Sequence, residues 1–284
     1  MDLDFSWSAV LRPGLGEPYF TVKPLPPFEA GKSGFSLVNA YWLAELSRLI
    51  YRPDADESGS EAPVPTRTDL LGRVGLEERA RVCRGTNYGV VVETAAGAAS
   101  GFAAVVFRGT SGFEGWFSNL KVIQTAWPGG GSVHAGFLDD FLSLWDALLP
   151  HADGTGRPLY YAGHSLGGAL AVLAAAARPA TATYTFGAPR VGDPDFTRRL
   201  EGTAIHRLVN GQDLVPTVPP SRIPFHFTHG MPSVEVKGDD RPDAAPALRR
   251  LAGPPDFISD HAPVNYVARL AQRLKRYQTH GRSS

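Results

Sequence analysis

Pro158-Leu159-Tyr160-Tyr161-Ala162-Gly163-His164-Ser165-Leu166-Gly167-Gly168-Ala169-Leu170-Ala171 is the stretch from which the rest of the chain can be read. The apolar run from Pro158 to Ala162 fits a buried strand, and the Ala/Leu-rich run from Gly168 to Ala177 fits a helix. The Gly-x-Ser-x-Gly between them leaves room only for a sharp turn. In such a turn the serine takes a strained backbone conformation, so the residues two before and two after it must be small. Gly163 and Gly167 meet that need. The hydroxyl of Ser165 is then lifted clear of the sheet, beside a helix N-terminus whose unpaired N–H groups favour negative charge. Ser165 is therefore the candidate nucleophile. The alternative reading of the same five residues is a glycine-rich turn that only packs a helix onto a sheet.

The 284 residues, 43% of them hydrophobic, suit one large α/β domain spanning residues 1–284. Lys plus Arg and Asp plus Glu number 28 each, so the balanced charge gives no footprint for nucleic acid or an anionic membrane. One cysteine, Cys83, excludes an intrachain disulfide framework and a cysteine-based metal cluster, and it reads as a small buried hydrophobe. The N-terminus is acidic where a secretory leader is basic, and no apolar core follows it. That pattern predicts a cytoplasmic protein, with secretion open if the start has been processed. No run is long and apolar enough to span a bilayer.

Residues 1–32 hold several prolines and little periodicity, which predicts an irregular surface wrap. Phe35, Val38, Trp42, Leu46 and Leu49 then recur at helical spacing over 35–51. The polar stretch 53–69 predicts a mobile loop. Val90–Thr94 and Gly101–Phe107 read as neighbouring strands, Phe137–Leu149 as a helix, and Thr181–Phe186 and Ile205–Val209 as further strands. Strands alternating with helices predict a mainly parallel central sheet flanked by helices, with ligands at the carboxyl ends of its strands.

A serine hydroxyl becomes a useful nucleophile when a histidine takes its proton and a carboxylate fixes that histidine's tautomer. After a strand–elbow–helix serine the acid follows, then the histidine. Asp213, after the strand ending at Val209, is the chosen acid; Asp193 and Asp195 read more simply as loop or cap residues. Four histidines follow Asp213. His280 is nearly terminal, His226 and His229 lie in an apparent strand, and His261 ends a long Pro/Asp-rich loop before the last helix. His261 is the chosen base, with a helix-cap histidine as the alternative. Charge on the substrate oxygen needs two preorganised donors: the backbone N–H of Leu166, and Thr110 in the loop after an early strand.

With these residues in place the chain resembles the class 3 lipases of the α/β-hydrolase superfamily. The resemblance runs from about Tyr88 to Tyr277 and rests on ordered motifs: Phe107-Arg108-Gly109-Thr110, Val133-His134-Ala135-Gly136-Phe137, Gly163-His164-Ser165-Leu166-Gly167-Gly168, Thr185-Phe186-Gly187-Ala188-Pro189-Arg190-Val191-Gly192, Asp213-Leu214-Val215-Pro216, and Asp260-His261 followed by Tyr266. It implies an α/β-hydrolase fold, a triad of Ser165, Asp213 and His261, and an oxyanion hole of Thr110 with Leu166. It also implies a short lid over residues 111–120, within a lid region 111–128, in which Phe113, Trp116 and Phe117 face substrate. Ordinary core packing is the alternative for those three rings. Asn119 stands where many relatives carry an aspartate that orients the oxyanion hydroxyl. The function expected is carboxylic ester hydrolysis, foremost of acylglycerols at a lipid–water interface, with no cofactor or metal. A short-chain or phenolic (feruloyl-type) ester hydrolase is the second reading, and a non-catalytic lipid-binding protein the third.

Overall fold

A computed structural model describes residues 1–16, 18–58, 62–97, 101–110, 122–222, 226–236 and 253–280. The helices in chain order are α1 (Trp7–Leu11), α2 (Leu37–Leu49), α3 (Ala55–Ser58), α4 (Arg67–Gly72), α5 (Ala135–Asp153), α6 (Leu166–Ala177), α7 (Pro194–Arg198), α8 (Asp256–Ser259) and α9 (Pro263–His280). The strands are β1 (Leu76–Arg84), β2 (Asn87–Thr94), β3 (Ala103–Phe107), β4 (Gln124–Ala126), β5 (Ser132–His134), β6 (Leu159–His164), β7 (Ala182–Phe186), β8 (Ile205–Val209) and β9 (Ser233–Glu235).

Seven strands form one sheet in the order β1-β2-β3-β6-β7-β8-β9, and β4 and β5 form a separate hairpin. The pairs β1·β2 and β2·β3 are antiparallel, and every pair from β3 onward is parallel. The parallel part therefore points the ends of β3, β6, β7 and β8 toward one edge. This is the α/β-hydrolase arrangement that the sequence implies, with helices on both faces.

Alternation along β6 shows how the two faces are filled. Tyr160 and Ala162 pack with Tyr41, Trp42 and Leu46 of α2 and Leu270 of α9. Leu159 and Tyr161 face the other way, among Phe141 and Leu144 of α5 and Leu173 of α6. Strand side chains point to opposite faces with a period of two, so a strand covered on both sides must be apolar throughout. That explains why β6 reads as one continuous apolar run. Helix α2 begins two residues after the predicted Phe35 because the Ser36 side chain accepts the Asn39 N–H and caps it there.

Strand β1 was not foreseen. Its sequence, Leu-Glu-Glu-Arg-Ala-Arg-Val-Cys-Arg, carries charge on the outward positions of an edge strand, which hides the apolar signal. The same geometry corrects the reading of Cys83: Val82 is buried and Cys83, one residue on, is exposed with a free thiol. The stretch 53–69 also differs from expectation, for it contains α3 and the start of α4. Thr66 and Asp69 form a reciprocal capping box. The Arg67 guanidinium, 2% exposed, reaches Glu78 at 2.8 Å and Glu57 at 3.0 Å. An acidic, proline-rich composition suggested solvation, but two carboxylates of the stretch, Asp54 and Glu57, lie against one buried arginine. Within residues 1–32 the short helix α1 buries Ala9 and Val10 against Ile258 and Ala262.

The turn between β6 and α6 is tight. A Cβ on Gly163 would overlap the backbone carbonyl of Gly167, and one on Gly167 would overlap the carbonyl of Phe107. Gly163→Ala should therefore cost about 2 kcal/mol or more, as overpacking of rigid cores does, and lower the melting temperature by about 5 °C. Thermal unfolding followed by circular dichroism checks this; an unchanged melting temperature would show that strand and helix can part freely.

Candidate active site

Ser165 has φ 58 and ψ −128, one of three non-glycine residues with positive φ among those described. Its amide donates to the Phe186 carbonyl at 2.9 Å, which ties the elbow to the end of β7. Such a backbone costs on the order of 1–3 kcal/mol and persists only where the surroundings hold it. Leu166 opens α6, so its N–H is among the donors a helix leaves without an intrahelical acceptor. After β3 the chain passes through Gly109, where a Cβ would lie 3.2 Å from Cβ of Ser165. That close approach brings half-buried Thr110 beside the elbow.

Asp213 and His261 meet in a buried pair. His261 Nδ1 lies 2.9 Å from Oδ2 and 3.0 Å from Oδ1, with side chains 3% and 0% exposed. Tyr266 donates its hydroxyl to Asp213 Oδ2 at 2.6 Å, and the Val215 N–H donates to Oδ1 at 2.9 Å. Three donors converging on one carboxylate offset the cost of burying it. With Nδ1–H given to Asp213, the basic lone pair of the neutral ring is on Nε2. Burial first, and then the Asp213 charge, push the Tyr266 hydroxyl well above its usual range, so it stays a donor.

The two loops that carry this pair are stitched together. Asn210 donates from Nδ2 to the Asp260 carbonyl at 2.9 Å, and the Gln212 N–H donates to Asp260 Oδ2 at 2.7 Å. Gly187, at φ 61 after β7, sits under the pair; a Cβ there would come within 3.0 Å of both His261 Nδ1 and the Tyr266 hydroxyl oxygen. The loops after β3, β6, β7 and β8 thus converge at one edge of the sheet. His261 arrives from the turn between α8 and α9, and its ring lies 4.5 Å from that of His164, the residue before Ser165.

The remaining sequence candidates lie elsewhere or do other work. Asp193 caps α7 by accepting the Phe196 N–H, and Asp195 pairs with Arg198 at 2.9 Å. His226 is exposed and outside any strand; only Thr228, in an isolated bridge to Gly192, shows strand pairing, where the sequence suggested a strand from His226 to His229. His229 Nε2 bonds the Pro216 carbonyl at 2.7 Å and so braces the segment after Asp213. Phe113, Trp116, Phe117 and Asn119 lie outside the described residues. The sequence reading quoted Tyr266 without a role and passed over Tyr51, which closes no local motif. Among the described residues no group of three or more His, Cys, Asp or Glu side chains is placed to hold a metal ion.

A serine elbow at the end of β6, the second strand of the parallel part, with acid and histidine on later loops, is the arrangement of the α/β-hydrolase fold. The family model for class 3 lipases matches residues 104–223, the part of the chain from the third strand of the sheet to the segment after Asp213. A lipase of Rhizomucor miehei is 36% identical over 143 residues, covering 44% of this chain and 39% of that protein. A Fusarium solani protein named as a secreted mono- and diacylglycerol lipase is 31% identical over 171 residues, covering 54% and 50%. The chain therefore aligns with half or less of the length of these two relatives. The crystal structure of a Rhizopus microsporus var. chinensis lipase shares the fold, with TM-score 0.59 and 23% identity over 85% of this chain and 84% of that one. The cytoplasmic expectation gains no support from these matches, one of which is named as secreted. Among the described residues no helix is long and apolar enough to cross a membrane.

Two histidines near the site resist protonation. Burial first, then Arg207, push His229 down to about 3, and burial first, then His261, hold His164 well below the usual imidazole range. A base with a lowered folded pKa takes its proton first in the unfolded chain. Its contribution to stability is complete above about 6.5, the unfolded imidazole value, and is lost as pH falls toward the folded one. His229→Gln keeps a donor for Pro216 and removes one such group. Urea unfolding between pH 6 and 5 should show a decline shallower than in the parent by about 1 kcal/mol per pH unit; equal slopes would contradict the assignment.

Proposed function

We propose that the chain is a serine hydrolase of carboxylic esters, acting first on acylglycerols, through Ser165, His261 and Asp213 on one α/β-hydrolase domain. The observation that carries this reading is the buried His261–Asp213 pair, 2.9 Å apart, beside the strained serine elbow. In the first step Ser165 Oγ attacks the ester carbonyl carbon while its proton passes to His261 Nε2. The carbonyl π electrons move onto oxygen, where the Leu166 N–H and Thr110 stabilise the negative charge. Collapse expels the alkoxide, which takes the proton from His261 and leaves as an alcohol. Water then repeats the sequence on the acyl-enzyme and releases the acid. Asp213 holds the ring in the Nδ1–H tautomer and stabilises the imidazolium without itself taking the proton.

No cofactor or metal enters this scheme. The substrate class is supported by the family and by relatives named as lipases and as a mono- and diacylglycerol lipase. On the same resemblance the segment 111–120, with Phe113, Trp116 and Phe117, is proposed as a lid for an acyl substrate at a lipid–water interface; these residues lie outside the described ones. Hydrolysis of short soluble or phenolic esters is the competing reading on the same triad.

Acid release is measured from emulsified long-chain triacylglycerol and from a short soluble ester. Ser165→Ala should fold normally and lose at least about 10⁴-fold in rate on both. Emulsion activity in the parent supports an acylglycerol lipase, and activity on the soluble ester alone makes it a soluble-ester hydrolase. Turnover surviving in Ser165→Ala would remove the triad assignment.

A further inference from the structure

A hydrogen-bonded chain runs behind the elbow and joins parts of the site that come from distant segments. The His261 carbonyl can only accept, so His164 Nε2, 2.6 Å away, carries the proton and donates. The buried His164 ring is neutral, so its Nδ1 is an acceptor. Tyr51 Oη, 3.2 Å from Nδ1, must then be the donor. The Tyr51 oxygen is also packed against Gly109, the residue before Thr110, so closely that a Cβ there would overlap it. The direction of the Tyr51–His164 bond thus follows from that of the His164–His261 bond.

Tyr51 is a firm post for such a chain. It follows α2, whose face is buried in the core under the sheet. Its neighbour Arg52, 1% exposed, is pinned to the carbonyls of Pro65 at 2.6 Å and Gly14 at 3.1 Å. The Tyr51 and His164 rings meet edge to face at 6.1 Å.

We propose that Tyr51, acting through His164, is a positioning residue that fixes the oxyanion loop at Gly109–Thr110 relative to the His261 backbone, with Ser165 between them. One hydroxyl packs against the loop at Gly109, and the ring it donates to holds the histidine's carbonyl. This inference rests on the ester-hydrolase reading of Ser165 and His261. Neither Tyr51 nor His164 belongs to the triad or the oxyanion hole, so the defect on breaking the chain belongs to the transition state rather than to binding. Misplacement of reacting groups by about 1 Å costs on the order of 100-fold.

The test compares the parent, Tyr51→Phe, His164→Gln and the double variant on a short soluble ester, with Ser165 labelling by a fluorophosphonate probe run in parallel. Tyr51→Phe should lower kcat about tenfold or more with KM within about twofold, since an interaction made only in the transition state acts on kcat. The two single losses should not multiply: the double variant should fall within about twofold of the worse single one, as for residues acting as a unit. Thermal melting confirms folding, and if Tyr51→Phe melts below the assay temperature, His164→Gln gives the kcat and KM readout alone. Unchanged kcat, a rise confined to KM, or losses that multiply would each overturn the proposal. A parent protein that neither turns over ester nor labels at Ser165 would instead remove the underlying reading, and the proposal with it.

Discussion

The contact between Gly163 at the end of β6 and Gly167 in the first turn of α6 sets the geometry of everything around it. Strand and helix approach until only hydrogen fits between their backbones, and the residue caught in the turn, Ser165, is driven to φ 58. The strain is held by covering on every side: apolar strands packed on two faces, α6 buried from Leu166 to Ala175, and the Ser165 amide bonded to the end of β7. A flexible loop could carry a serine to the same place but could not keep its hydroxyl aimed while charge develops nearby.

Around that fixed point the parallel sheet supplies position and the loops supply chemistry. The ends of β3, β6, β7 and β8 deliver Thr110, Ser165, Gly187 and Asp213 to one edge, in register because the strands are paired residue by residue. The electrostatic work is concentrated in one buried carboxylate. Asp213 receives a tyrosine hydroxyl, a backbone amide and an imidazole N–H, and each donor is anchored on a different segment. Charge at this place is acceptable because it is fully partnered, and the partners in turn fix the ring of His261. His164, beside the elbow, and His229, behind the segment after Asp213, resist protonation because burial first, and then neighbouring His261 and Arg207, oppose their charge.

Much of this was legible in the residues. The elbow, the buried strands and helix α6 announce themselves through apolar runs and small residues at fixed offsets, and the order of serine, acid and histidine narrows the rest. What escaped did so for physical reasons. Strand β1 is an edge strand whose outward charges mask its two inward apolar residues, and Cys83 is exposed because it falls on the outward phase. The stretch 53–69 looked solvated because Asp54 and Glu57 give no sign in sequence of the buried Arg67 they face. Tyr51 and Tyr266 act across separations of 113 and 53 residues, and no local pattern encodes a bond of that reach.

The central claim is that the strained elbow makes Ser165 the residue that carries the acyl group. Rapid quenching of the protein with a slowly deacylated ester, followed by mass spectrometry of the intact chain and its peptides, tests it most directly. The account predicts one acyl group per chain, located on the peptide containing Ser165 and formed before steady-state turnover. Ester cleavage without an adduct, or an adduct on any other residue, would contradict it.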